Sequence, residues 1–249
     1  MGTPSAGGFW GRCDPAEPRN ERSRASIMVE HEGTCVLVDA SYDLRLQMNR
    51  HKVQNIDALL LTHAHSDHIS GIDDLRGVAF RHEKMIDLRT NQETMDELRQ
   101  RAPYLFLGEH EVYTPFLQPT VIGGYDAFRI GNMDIQSFEQ DHKVCTSLGF
   151  RFGDLAYSVD MVDLNEKSLA ALKGVETWIV DGGAYQRETV TTHANLKRVM
   201  NWVDILKPKM TYVTVLSQHM DYKTLCDELP PHIRPAWDGL EIESGTNRR

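Results

Sequence analysis

Residues 56–62, "IDALLLT", form an almost unbroken apolar run that leads straight into "HAHSDH", so that His63, His65, Asp67 and His68 fall within six positions. No other stretch constrains the fold as tightly. A short continuous apolar run bounded by polar residues reads as a strand buried on both faces, which must lie inside a covered sheet. His63 and His65 stand two apart in extended chain, so both imidazoles can point to one side and address one metal. Asp67 and His68 follow as the chain bends toward a helix expected over 69–76, and can address a second metal. Nitrogen and carboxylate ligands without a thiolate suit Zn²⁺, Mn²⁺ or Fe²⁺. A single histidine is common on any surface, but four ligand-type residues at this spacing behind a buried strand are not.

One strand end cannot fill two coordination spheres, so further ligands are expected at other strand ends. "FEQDHKV" places His142 just after a strand over 133–139, and "LAYSVDM" ends a strand on Asp160, a carboxylate able to bridge two ions. The rest of the chain supplies a matching framework. "ASIMVE" (25–30) and "TCVLVD" (34–39) flank the turn "HEGT" as a hairpin. A helix is expected within 89–101, a loop over 108–119, strands in "AFRIGNMDIQSFE", "SLGFRF" and "LAYSVD", and a buried strand over 175–181. An amphipathic helix is expected over 193–206, with Thr192 as its N-cap and Leu196, Val199, Met200, Val203 and Leu206 on one face. A strand over 209–216 and a helix over 221–229 close the chain. Two mostly β blocks, each followed by helices, suggest an α/β fold of two sheets with helices outside, in a single domain over residues 1–249.

Composition narrows the function. The 249 residues are 41% hydrophobic with a net charge of −9, so a packed core is feasible and a long nucleic acid is disfavoured. No run of eighteen apolar residues suggests a membrane span, and the start "MGTPSAGGFWGRCDP" does not read as a secretory signal. Cys13, Cys35, Cys145 and Cys226 are scattered, which fits a reducing cytoplasm better than a disulfide framework.

"THAHSDH", the later His142, the strand-ending Asp160 and a distal histidine resemble the metallo-β-lactamase superfamily. "HISGIDDLR", "RAPYLF", "SLGFRFGDLAYSVD" and "RPAWDGLEI" are similar to its phosphoribosyl 1,2-cyclic phosphate phosphodiesterase branch. The resemblance implies an αββα sandwich and two divalent metal ions, Zn or Mn. It implies metal ligands at His63, His65, Asp67, His68, His142 and Asp160, and a catalytic part for Asp67 and His193. His193, after "TVTT", is expected to open the amphipathic helix, where N–H groups favour anions, and to donate a proton to a leaving alkoxide.

Three departures from the branch stand out. The chain begins inside the turn that usually follows the first strand, which leaves room for that strand to be missing and an edge exposed. The branch's structural zinc takes several cysteines, and "WGRCDPAEPRN" offers only Cys13, so no structural zinc is expected. The distal ligand position in "YVTVLSQHMDY" holds Val215, with His219 either reaching the metal by another path or remaining a surface residue. Asp39 and Asp181 read equally as acceptors for ligand imidazoles or as caps. Lys143 points away or reaches a substrate phosphate. His31, His51, His82, His110 and His232 read as structural or solvated.

The expected function is a cytoplasmic dinuclear metal-dependent hydrolase of a phosphodiester, with a small cyclic sugar phosphate or nucleotide-like substrate. A homodimer stays open. The alternatives are a tRNA 3′-processing-type nuclease, a β-lactamase or thioester hydrolase, and a nucleotide- or metal-binding protein with impaired catalysis.

Overall fold

The computed structural model describes residues 2–106, 114–189 and 191–245. The chain divides into two compact units, Ser26–Ser137 and Met1–Ala25 with Phe138–Arg249.

In the Ser26–Ser137 unit, β1 (Ile27–His31) and β2 (Thr34–Val38) form the expected antiparallel hairpin, and β3 (Ala58–Leu60), β4 (Ile86–Thr90) and β5 (Leu117–Val121) add in parallel in the order β1-β2-β3-β4-β5. All three β3 residues are sealed from solvent, as the apolar run requires. Helices α1 (Leu44–His51), α2 (Ser66–Ile69), α3 (Arg76–Arg81) and α4 (Gln92–Arg101) accompany the sheet. Asn91 caps α4 by accepting from Thr94 N, and α4 buries Met95 and Leu98 in a core shared with Leu59, Leu75 and Leu88.

The helix expected over 69–76 is instead three pieces: α2, a 3-10 turn at Ile72–Leu75, and α3. Gly71 causes the break. A Cβ there would lie 1.8 Å from the Ser41 carbonyl oxygen, and Gly71 N donates to Ala40 O at 2.8 Å. The chain turns to pin itself against the end of β2, which a continuous helix could not do. The loop expected over 108–119 lies partly, at 108–113, outside the described residues, and its far end is strand β5. Pro119 obscured that strand, but β5 is an edge strand, where a missing N–H on the open side costs no ladder bond.

β6 (Ala127–Ile130) and β7 (Met133–Asp141) pair across a turn at Gly131, whose φ of 52° suits glycine. β7 carries the chain out of the first unit. The second contains β8 (Thr146–Phe152), β9 (Leu155–Ser158), β10 (Thr177–Asp181), β11 (Met210–Thr214) and β12 (Ile233–Pro235), in a sheet ordered β12-β11-β10-β9-β8-β7-β6. Its helices are α5 (Glu166–Leu172), α6 (Leu196–Leu206) and α7 (Tyr222–Glu228). α6 starts at Leu196, not 193, because Asn195 rather than Thr192 caps it, accepting from Arg198 N at 2.9 Å. Its buried face is Leu196, Val199, Trp202 and Val203, whereas Met200 is exposed. Leu196, Val199 and Val203 are buried as spacing suggests, and Trp202, packed edge-on against Trp178 of β10, joins that face where Met200 was expected.

The N-terminal segment is tied to the loop before α7. Asn20 donates through Nδ2 to Asp221 Oδ2 at 2.6 Å and accepts at Oδ1 from Arg22 Nη2 and Tyr222 N, both at 2.8 Å. Arg22 Nη2 also reaches Met220 O, and the Cys13 thiol donates to Gln218 O. Polar side chains thus fasten the segment that holds Cys13.

Candidate metal centre and proton donor

The first half-set stands on the ends of β2 and β3. Asp39, directly after β2, is sealed from solvent with φ 62°. It accepts from Thr62 N at 2.9 Å, from Thr62 Oγ1 at 2.9 Å and from His68 Nδ1 at 2.7 Å. A carboxylate only accepts, so the single Thr62 hydroxyl proton points at Asp39. The His63 Nδ1 that lies 3.0 Å from the same hydroxyl oxygen must then donate to it. Both His63 and His68 therefore carry their proton on Nδ1 and would meet a metal through Nε2.

His65 completes the set from the N-cap position of α2, with Asp67 part-buried in that helix's first turn. His63 Nε2 and His65 Nδ1 converge to 2.8 Å, and His63 is 1% exposed. Two ring nitrogens at that distance, one of them a lone pair, share a proton or a cation. The donor set fits a divalent metal that prefers nitrogen and carboxylate ligands.

The second half-set stands on the ends of β7, β9 and β10. His142 follows β7 and donates from Nδ1 to Thr192 O at 2.8 Å, which leaves Nε2 for Asp160, 3.5 Å away at Oδ2. Both side chains are buried, and Asp160 turns left-handed at φ 51° just past β9. Asp160, Asp181 and His193 bring one ligand atom each within 4.8 Å of one another, a group that could hold a metal ion.

His193 does not open α6. It precedes the Asn195 cap, and so the helix-terminus argument for anion binding does not reach it. Asp181 holds it instead: the carboxylate, wholly buried at the end of β10, accepts from His193 Nδ1 at 2.8 Å, Gly183 N at 2.8 Å and Met161 N at 3.1 Å. Burial works against a charged His193, but the Asp181 carboxylate, with Asp160 behind it, carries its pKa up to about 9. Burial likewise pushes the Asp181 carboxyl upward against the pull of His193. Both shifts keep a proton on the pair. Asp39 and Asp181, open between two roles in the sequence, each receive an imidazole N–H.

His219 lies part-buried in the turn between β11 and α7, in neither the first half-set nor the Asp160 group. Val215 follows β11 directly with φ 58°. Lys143 is exposed with φ 67°, its backbone N–H held by Asp141 Oδ1. Among the other histidines, His82 donates from Nε2 to Gln54 O, and His110 lies outside the described residues. Sequence reasoning missed two contributors. Thr62 was visible only as the polar end of an apolar run. Arg101, whose Nη1 donates to Ala64 O at 2.8 Å, gave no local sign of its contact thirty-seven residues away.

A family profile described as "Beta-lactamase superfamily domain" matches residues 34–214. Over 242 residues the chain is 27% identical to an octanoyltransferase of Porphyromonas gingivalis (strain ATCC BAA-308 / W83), covering 96% of this chain and 49% of that protein. It thus spans about half the length of that curated relative. Among solved structures, a diphosphatase from the PhnP family superimposes with a TM-score of 0.85 at 28% identity, covering 96% of this chain and 91% of that one. The short form of human tRNase Z gives 0.69 at 15% identity, over 94% and 97%, a likeness of fold alone. The α/β, metallo-β-lactamase-type fold expected from the sequence is borne out, and the expected branch agrees with the chain's similarity to a PhnP-family structure. No described helix is long and apolar enough to cross a membrane.

Proposed function

The chain belongs to the beta-lactamase superfamily, and on that premise we propose that it is a metal-dependent hydrolase of a phosphoester, with a small cyclic sugar phosphate or nucleotide-like phosphodiester as its substrate. His63, His65, Asp67 and His68 in the first half-set, and His142 and Asp160 in the second, are the proposed ligands of divalent ions, Zn or Mn. When bound, such ions acidify water and neutralise charge on phosphoryl oxygens.

The chain's own residues supply the rest. Asp39 and Thr62 fix the ring tautomers of His68 and His63, and Thr192 O does the same for His142. The observation that carries the phosphoester reading is the His193–Asp181 pair. A histidine that keeps its proton at neutral pH is suited to protonate a leaving alkoxide, which a phosphodiester releases. Similarity to a PhnP-family diphosphatase supports chemistry at phosphorus and favours a second reading, cleavage of a diphosphate bond, by the same groups. Octanoyl transfer is not carried over from a relative of which this chain covers 49%.

A substrate panel tests the proposal: bis-p-nitrophenyl phosphate, a ribose cyclic phosphate, a nucleoside diphosphate, precursor tRNA at several salt concentrations, and nitrocefin, each with Zn²⁺ or Mn²⁺. The phosphodiesters are expected to turn over and nitrocefin to stay intact. Faster cleavage of the diphosphate selects the second reading. Faster cleavage of tRNA or nitrocefin than of any small phosphoester overturns both. A full metal complement with no turnover of any substrate marks a binding protein.

A further inference from the structure

We propose that Arg101 is a positioning residue for the His63–His65 pair, acting through the peptide between them. The inference rests on the reading that these two histidines hold a metal. Arg101 is the last residue of α4, and its guanidinium donates from Nη1 to the carbonyl of Ala64, the residue between the two histidines, at 2.8 Å. Its Nη2 pairs with Glu97 one turn back on the same helix.

Geometry explains why this contact matters. The carbonyl of Ala64 belongs to the peptide that links Ala64 to His65, and rotation of that peptide swings the His65 Cα–Cβ bond. Thr62 already orients the ring of His63, and Asp39 that of His68. Arg101 acts on the third imidazole by fixing its backbone. The anchor is rigid, since α4 buries Met95 (0% exposed) and Leu98 (2%), while Ala64 itself is 7% exposed. The Arg101 and Glu97 side chains are 44% and 41% exposed, so their ion pair orients the guanidinium only weakly and the bond to Ala64 O carries the effect. An arginine is needed because its planar fork can serve Ala64 O and Glu97 together, whereas a lysine offers one point charge. Partners that orient metal ligands commonly change metal affinity by about 10–100-fold when removed.

The test measures Zn²⁺ affinity of the full chain by competition with a chromogenic chelator, together with the melting temperature in excess chelator. The variants are Arg101→Ala, Arg101→Lys and His63→Ala. Arg101→Ala is expected to weaken the tighter ion by roughly tenfold or more with little change in melting temperature, and Arg101→Lys to recover only part of that loss. Wild-type affinity in Arg101→Ala overturns the inference, and so does a weakened affinity matched by a large drop in melting temperature, which would mark a general structural role. Wild-type affinity in His63→Ala overturns the metal reading itself.

Discussion

A carboxylate sealed from solvent beside an imidazole, as Asp181 is beside His193, makes the imidazole's proton hard to remove. The consequence for stability has a definite sign. His193 in the folded chain has a pKa of about 9, above the value near 6.5 of an unfolded histidine. The stabilisation from its charged form is therefore complete below about pH 6.5 and is lost as pH rises through about 9. His193 is 30% exposed, so solvent screens part of the effect, and about 1–3 kcal/mol is expected. With metals removed by chelator, the stability difference between wild type and His193→Gln should shrink by that amount between pH 6 and pH 9.5. Urea unfolding at several pH values measures it, and a difference that stays flat would contradict the assigned pair.

Strand ends are the elements that build both half-sets. Asp39 after β2, Asp160 after β9 and Val215 after β11 all turn left-handed, with φ of 62°, 51° and 58°. Aspartate tolerates that conformation, but a β-branched valine is strained in it. Val215→Gly should therefore stabilise the chain by about 1 kcal/mol, read as a higher urea midpoint. Val215→His should raise metal occupancy, whereas His219→Ala should be nearly silent, because the structure places His219 outside the first half-set and the Asp160 group. A sharp loss of metal in His219→Ala would reverse the assignment. Sequence showed these elements unevenly. The hairpin, β3 and β10 were legible because hydrophobic pattern is a local signal. Pro119 masked β5, Asn195 displaced the start of α6, and Gly71 broke a helix through a contact with Ser41 thirty residues away. Candidate ligands could be read from spacing, but the partners Thr62 and Arg101 depend on which strands and helices the fold brings together.

For the molecule as a whole, family membership establishes the type of fold, and the half-sets suggest the chemistry placed on it. The likeness to a PhnP-family diphosphatase and the partial match to an octanoyltransferase point to different reactions, and only the former covers nearly all of both chains. The proposed hydrolysis depends on divalent metal held by the His/Asp set. Its most direct measurement is the rate of bis-p-nitrophenyl phosphate cleavage by chelator-stripped protein as Zn²⁺ or Mn²⁺ is added back, for wild type, His63→Ala and Asp67→Ala, with circular dichroism to verify folding. A negligible rate is expected without metal, and a wild-type rate that rises to a plateau as metal is added. Both variants are expected to stay folded, to bind at least one ion fewer than wild type and to remain inactive. A wild-type rate indifferent to metal, or variants with full activity and full metal content, would rule out metal-dependent hydrolysis at this site.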